Sequence, residues 1–190
     1  MSGLNSKAAG DMGASAEVVR NAGVGCGVAA ATHYRIECFD RHGNLKWVDE
    51  FDNLVVTAGL NELIDKTFKG SSYTAAWYVG LTDGTPTFDA GDTMSSHAGW
   101  VEVTAYDEAT RQALTLGSVS GGSASNTASK ATFTISTNGT TIGGAFLATV
   151  NTKGGSTGTL YGGGAFSAGD KTIDDNDTLA VTITLTQTAA

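Results

Sequence analysis

Five groups of residues in this sequence have types and spacings that could do chemistry. Gly154-Gly155-Ser156-Thr157-Gly158 matches G-x-S-x-G, the pattern that presents a nucleophilic serine on a strand-to-helix turn. Such a serine needs a histidine base, yet His33, His42 and His97 all lie upstream and no local motif places them. The residues after Gly158 read as strand-like and glycine-rich, so Ser156 is expected in a loop without a nucleophilic role. Asp174-Asp175-Asn176-Asp177 offers oxygens to calcium but lacks the glycine and distal glutamate of an EF-hand loop. A solvated turn is expected there, and the looser acids Asp83, Asp89 and Asp92 read the same way. Glu37, Asp49 and Glu50 could supply a glycosidase carboxylate pair, but alternating strand positions hold such residues on solvent faces routinely. Gly23, Gly25 and Gly27 have the wrong spacing and context for a phosphate loop. Trp47, Trp77 and Trp100, with Tyr78 and Tyr106, could form a carbohydrate platform; core or subunit-interface positions are the preferred use. No catalytic, cofactor-binding or metal-ligating residue is assigned, no cofactor is expected, and the chain reads as a protein that is not an enzyme.

The elements that must position these residues are mostly strands. A chain of 190 residues suffices for one domain, or one domain and an arm. Hydrophobic residues at 41% and charged residues at 16% exclude a charged disordered tail and a membrane protein. Gly occurs 26 times and Pro once, which suits tight turns and close backbone approaches. Thr- and Ser-rich runs alternating with apolar residues favour strands over helices. The net charge of -8 repels phosphate backbones, so direct nucleic-acid binding is not expected. No run of about 20 apolar residues offers a transmembrane helix. No basic stretch followed by an apolar core marks a signal peptide, so synthesis in a cytoplasm is expected. Cys26 and Cys38 are too few for a disulfide framework or a zinc site. Cys38 is expected as a buried free thiol, and Cys26 is assigned nothing.

Residues 1–32 are rich in Gly, Ala, Ser and Asn with scattered Val, and cannot bury enough surface to offset their ordering entropy. They read as a flexible arm ordered on assembly, with Val18, Val19 and Val24 as its contact residues. Residues 33–190 read as the folded domain. Tyr34, Ile36 and Cys38 alternate with Arg35 and Glu37; after a turn at His42-Gly43-Asn44, Leu45 to Val56 reads as the returning strand. Leu45, Trp47, Asp49 and Phe51 share a face there, although a carboxylate weakens that register. Thr57 is expected to cap a short helix bearing Leu60, Leu63, Ile64 and Phe68 on one face, ended by Gly70. Ala75 to Leu81 is an apolar strand, Thr82 to Gly99 a polar loop, and Trp100 to Ala105 a further strand. Lys130 to Ser136 and Thr140 to Thr149 flank Asn138-Gly139 as a hairpin. The last strand sets Leu179, Val181, Ile183 and Leu185 against Thr182, Thr184 and Thr186. Phe88-Asp89-Ala90-Gly91-Asp92 echoes Phe166-Ser167-Ala168-Gly169-Asp170, either as a duplicated hairpin unit or as one turn chemistry used twice. The predicted fold is all-β, an antiparallel β-sandwich or jelly roll with one short helix and an N-terminal arm.

Several runs carry a resemblance. Asn44 to Val48, Phe51 to Val55, Gly59-Leu60-Asn61, Ala75 to Leu81, Ala98 to Glu102, Ala128 to Phe133 and Gly143 to Leu147 resemble small structural proteins of tailed-phage virions. That resemblance implies capsid decoration: a homo-oligomer, dimer or trimer, binding the major capsid protein on the outer shell after synthesis in the host cytoplasm. Val18, Val19, Val24, Trp47, Trp77, Tyr78 and Trp100 are the interface candidates on this reading. The alternative is a tail or fibre component binding a host receptor through exposed aromatics in Thr82–Trp100 and a glycine-rich loop at Gly154–Gly164. The resemblance supplies no catalytic residues.

Overall fold

Alternation of apolar and polar residues builds the first sheet. The computed structural model describes residues 28–69 and 76–189. In chain order the first elements are β1 (Val28–Phe39), β2 (Leu45–Asp52), β3 (Leu54–Val55), α1 (Thr57–Thr67), β4 (Tyr78–Thr82), β5 (Glu102–Val103) and β6 (Gln112–Ala113). Then follow β7 (Ser123–Ser125), β8 (Ala131–Thr134), β9 (Thr140–Ile142), β10 (Gly144–Ala148), β11 (Leu160–Ala165), β12 (Lys171–Ile173) and β13 (Thr178–Ala189). One sheet runs β2-β1-β13, with β8 and β7 sharing the far edge of β13. The other runs β3-β11-β10-β4, with β5 and β6 sharing the far edge of β4. A separate pair joins β12 to β9. The ladders are antiparallel, and the fold is the expected all-β sandwich with one helix.

The core lies between the sheets. Tyr34, Ile36 and Cys38 of β1 and Leu179, Val181 and Ile183 of β13 meet Val79, Leu81, Ala145, Leu147 and Tyr161 from the opposite sheet. A second apolar cluster lies on the other face of β10, where Phe146 and Ala148 meet Val56, Met94, Trp100 and Leu160. Both faces of β10 are therefore covered, which is why its residues form an unbroken apolar run instead of an alternation.

Four sequence expectations change. First, β1 begins at Val28, not after residue 32, because its backbone pairs with β13 from Val28 opposite Ala189 onward. Hydrogen bonding to a neighbouring strand orders Ala29-Ala30-Ala31, which have no apolar periodicity of their own. Val18, Val19, Val24, Cys26, Gly23, Gly25, Gly27 and Gly70 lie outside the described residues. Second, the returning strand breaks at Asn53: β2 pairs with β1, whereas Leu54-Val55 crosses to β11. Third, Asn138-Gly139 is a turn with Gly139 at φ 77°, but not a hairpin, since β8 pairs with β13 and β9 with β12. Fourth, the loop drawn over Gly154–Gly164 stops short of Leu160: Leu160 to Ala165 is a strand, buried from Leu160 to Gly164, in keeping with the strand-like run after Gly158. Its glycines admit aromatic rings: a Cβ on Gly163 would overlap Phe88, and one on Gly164 would crowd Phe51.

The helix is also turned from its expected orientation. Val56 is its N-cap residue and makes no side-chain cap, so Thr57 is its first residue, and Phe68 is the C-cap. Gly59 is the buried helical residue, because a Cβ there would overlap the Tyr161 backbone. Close backbone packing at Gly59 leaves Leu63 half-buried against the core but Leu60, Ile64 and Phe68 exposed, Phe68 at 83%.

Candidate functional site

The carboxylates that could do chemistry brace the fold instead. Asp49 stands on the inward face with Trp47 and Phe51, so the expected register of β2 holds. The charge is accommodated because Asp49 caps the turn after β11: Ser167 N and Oγ donate to Oδ1 at 2.9 and 3.0 Å, and Ala168 N donates to Oδ2 at 3.1 Å. Lys171 Nζ stands 3.8 Å from Oδ2. Glu37 belongs to the opposite face, paired with Arg35 at 2.5 Å and with Lys130, so Glu37 and Asp49 do not converge on a common substrate position. Glu50 likewise pairs outward with Arg35 at 3.0 Å.

In the acidic turn, Lys46 Nζ reaches Asp177 at 2.5 Å and Asp174 at 3.1 Å. Asp177 and then Asp174 hold the lysine in its charged form, raising its pKa above the usual value. Among the described residues, no cluster of three or more His, Cys, Asp and Glu side chains could hold a metal ion. Ser156 is exposed in the loop before β11. His33 bonds Asp52 at 2.9 Å, and His97 stacks on Trp100 while its Nδ1 meets the Trp100 carbonyl at 3.0 Å.

One buried ion pair had no signal in the sequence. Arg111 has no exposed side-chain surface, and its Nε and Nη2 donate to the two oxygens of Glu102 at 2.8 and 2.7 Å. Its Nη1 and Nη2 also donate to the Val150 and Gly155 carbonyls at 2.8 and 2.7 Å, and Gly154 N donates to Glu102 at 3.0 Å. The chain leading into Ser156, from Val150 to Gly155, is thereby pinned. The two partners lie nine residues apart, Glu102 in the two-residue β5 and Arg111 just before β6, with no periodicity to announce them.

The aromatic candidates separate. Trp100 is 3% exposed, with its Nε1 donating to Asp92 and its ring against Phe88 and Phe146, so it belongs to the interior and not to an accessible interface. Asp92 also accepts from Asp89 N, closing the turn that echoes the one Asp49 caps. Trp47 packs edge-on against Phe166, Tyr106 against Phe133, and Tyr78 is half-buried at the start of β4. No common platform forms. Trp77 alone of these stands at an opening, edge-on to Tyr161.

That opening is an apolar groove of about 270 Å3 at one end of the sandwich. Leu63 of α1, Trp77, Leu114, Leu147, Tyr161 and Leu185 form its walls, with Leu116 and Val119 on the rim. Leu116 and Val119 are 37% and 75% exposed. The apolar alternation Leu114-Thr115-Leu116 marks this wall in the sequence, and Leu185 is the last inward residue of β13, where the core opens.

Buried acids set the expected response to alkali. Burial pushes the Cys38 thiol up to about 12 from its ordinary 9.0, with Asp177 adding to the effect. Burial likewise raises the Tyr34 and Tyr106 phenols. These acids lose protons first in the unfolded chain, so stability is unaffected below pH 9 and falls as pH climbs from there toward 12. Urea midpoints should be level from pH 7 to 8.5 and decline above it. In a Cys26→Ser variant, Cys38 should react with a thiol reagent at pH 8 only on unfolding; prompt reaction of the native protein would contradict this account.

Among the described residues no helix is long and apolar enough to cross a membrane. Compared with protein-family models, curated proteins and solved structures, the chain has no match.

Proposed function

We propose that this chain is a non-enzymatic structural protein of a tailed-phage virion, acting as a capsid decoration protein on the outer face of the major capsid protein shell. The observation that carries the reading is the division of labour among side chains. The buried carboxylates Asp49, Glu102 and Asp177 are each tied to a loop or strand, while the accessible apolar surface includes the helix face of Leu60, Ile64 and Phe68. Such a surface suits packing against another protein better than turnover of a small molecule. The phage-like sequence runs supply the setting. Over an acidic body, repulsion between neighbouring particles opposes clumping.

The receptor-binding alternative keeps an exposed loop at residues 154–158 but has less support from the other features named for it. Trp100 is interior, Phe88 is partly covered, and the glycines of Leu160–Ala165 lie in a buried strand. Cryo-electron microscopy of purified particles carrying the chain tests the proposal. Density repeated across the capsid surface in hundreds of copies is the expected result; about three to eighteen copies confined to the tail, the number set by tail symmetry, would overturn it.

A further inference from the structure

The groove stands open where the chain enters the fold. Gln187 lies at its edge and is opposite Ala30 in the β1–β13 ladder, so the residues before Val28 leave the body within about three residues of the groove. By the alternation that turns Tyr34, Ile36 and Cys38 inward, Val28 and Ala30 stand on the same side of β1 as the core. The preceding segment has the means to come back over this opening. Glycines at 23, 25 and 27 remove the Cβ that restricts a sharp reversal. Val24 lies between them and Val18 and Val19 beyond them, the latter two flanked by the opposite charges of Glu17 and Arg20; all three are branched apolar residues small enough for a slot of this size. Val19 lies nine positions before Val28, a reach of roughly 30 Å when extended, which leaves enough chain for a turn and a return.

Charge separates this occupant from a second copy of the body. Residues 1–27 contain Lys7 and Arg20 against Asp11 and Glu17, a net charge of zero. The remaining residues therefore carry 11 − 2 = 9 basic and 19 − 2 = 17 acidic side chains, the whole net charge of -8. Two acidic bodies repel each other, whereas the neutral segment does not, and its tether holds it at an effective concentration of the order of mM. We propose that residues 16–24 of the chain's own N-terminal segment occupy the groove, with Val18, Val19 and Val24 set against Trp77, Leu114 and Leu185. The inference does not rest on the virion reading, because it concerns the isolated full-length chain.

A photoreactive benzoylphenylalanine at position 119, in the full chain, tests it. Irradiation should give cross-links to residues 16–24 at the monomer mass, with a yield independent of protein concentration. A Val18→Asp/Val19→Asp variant, altered far from the sandwich core, should lower that yield at least tenfold. Cross-links at the dimer mass, cross-links to residues 70–75, or none to the N-terminal segment would overturn the proposal. So would an unchanged yield in the Asp variant. Failure of these outcomes would leave the capsid reading where it stands, and loss of the capsid reading would leave the cross-linking result intact.

Discussion

Replacing Arg111 with Met is expected to lower the unfolding free energy by about 3–5 kcal/mol, the cost of leaving one member of a buried ion pair without its partner. Glu102 would be left in a site that is 7% exposed, with Gly154 N as its remaining donor. The Val150 and Gly155 carbonyls would each lose a charged donor as well. For a domain whose total stability is about 5–15 kcal/mol, this is about a fifth of the whole or more. The paired replacement Arg111→Met with Glu102→Leu removes the stranded carboxyl group, so it should cost clearly less than the sum of the two single changes. Urea unfolding monitored by tryptophan fluorescence measures all three variants. A single-variant loss below about 1 kcal/mol would show that the pair is weakly coupled to folding, in the range of a surface ion pair. Hydrogen exchange gives a local check: amides of residues 150–155 should lose protection in Arg111→Met before those of β1 and β13 do.

How far the sequence reveals this architecture depends on what covers each strand. β1 and β8 bury one face, so Ile36 and Phe133 alternate with polar neighbours and the strands are legible. β10 and β11 are covered on both sides and lose that alternation; Gly162-Gly163-Gly164 then looks like loop, although Phe51 and Phe88 fill the space the missing side chains leave. Turn chemistry is local and legible, as Gly139 demonstrates, but pairing is decided elsewhere: the strands flanking that turn go to different partners. The helix is legible from Leu60, Leu63 and Ile64. Its orientation is not, because the contact that fixes it is the backbone of Tyr161 against Gly59, and a glycine adds nothing to an apolar pattern. Asn126 illustrates the same limit. Its carboxamide receives Ile183 N and donates to the Val181 carbonyl, spanning the gap on β13 between β8 and β7. At the groove, Trp77 is legible as a candidate while Val119 is not, since exposure of an apolar residue depends on where its neighbours stop.

Asp49→Ala is expected to cost about 2–4 kcal/mol, from the loss of hydrogen bonds to a buried charged acceptor. The side chain has no exposed surface and ties β2 of one sheet to the turn after β11 of the other, a link across 118 residues of sequence. The two echoed turns thus differ in what closes them: Asp92 closes the first from within, whereas the second depends on a carboxylate from a distant strand. Asp170, the counterpart of Asp92, is turned outward to accept from Thr85 N and Oγ1 at 2.7 and 2.9 Å. One turn chemistry is therefore used twice with its acid reassigned, and the second use is the more fragile. Asp49→Asn separates charge from shape. Its single carbonyl oxygen can still accept from Ser167, but its amide would face the Ala168 N–H, a donor against a donor. If capping is the main role, Asn should recover about half of the loss seen with Ala. If Asn is as damaging as Ala, the negative charge facing Lys171 matters more than the cap, and Lys171→Met should then reproduce much of the same loss. Equal stability of Asp49→Ala and the parent would refute both accounts, and would mean that the turn after β11 holds its shape without help from β2.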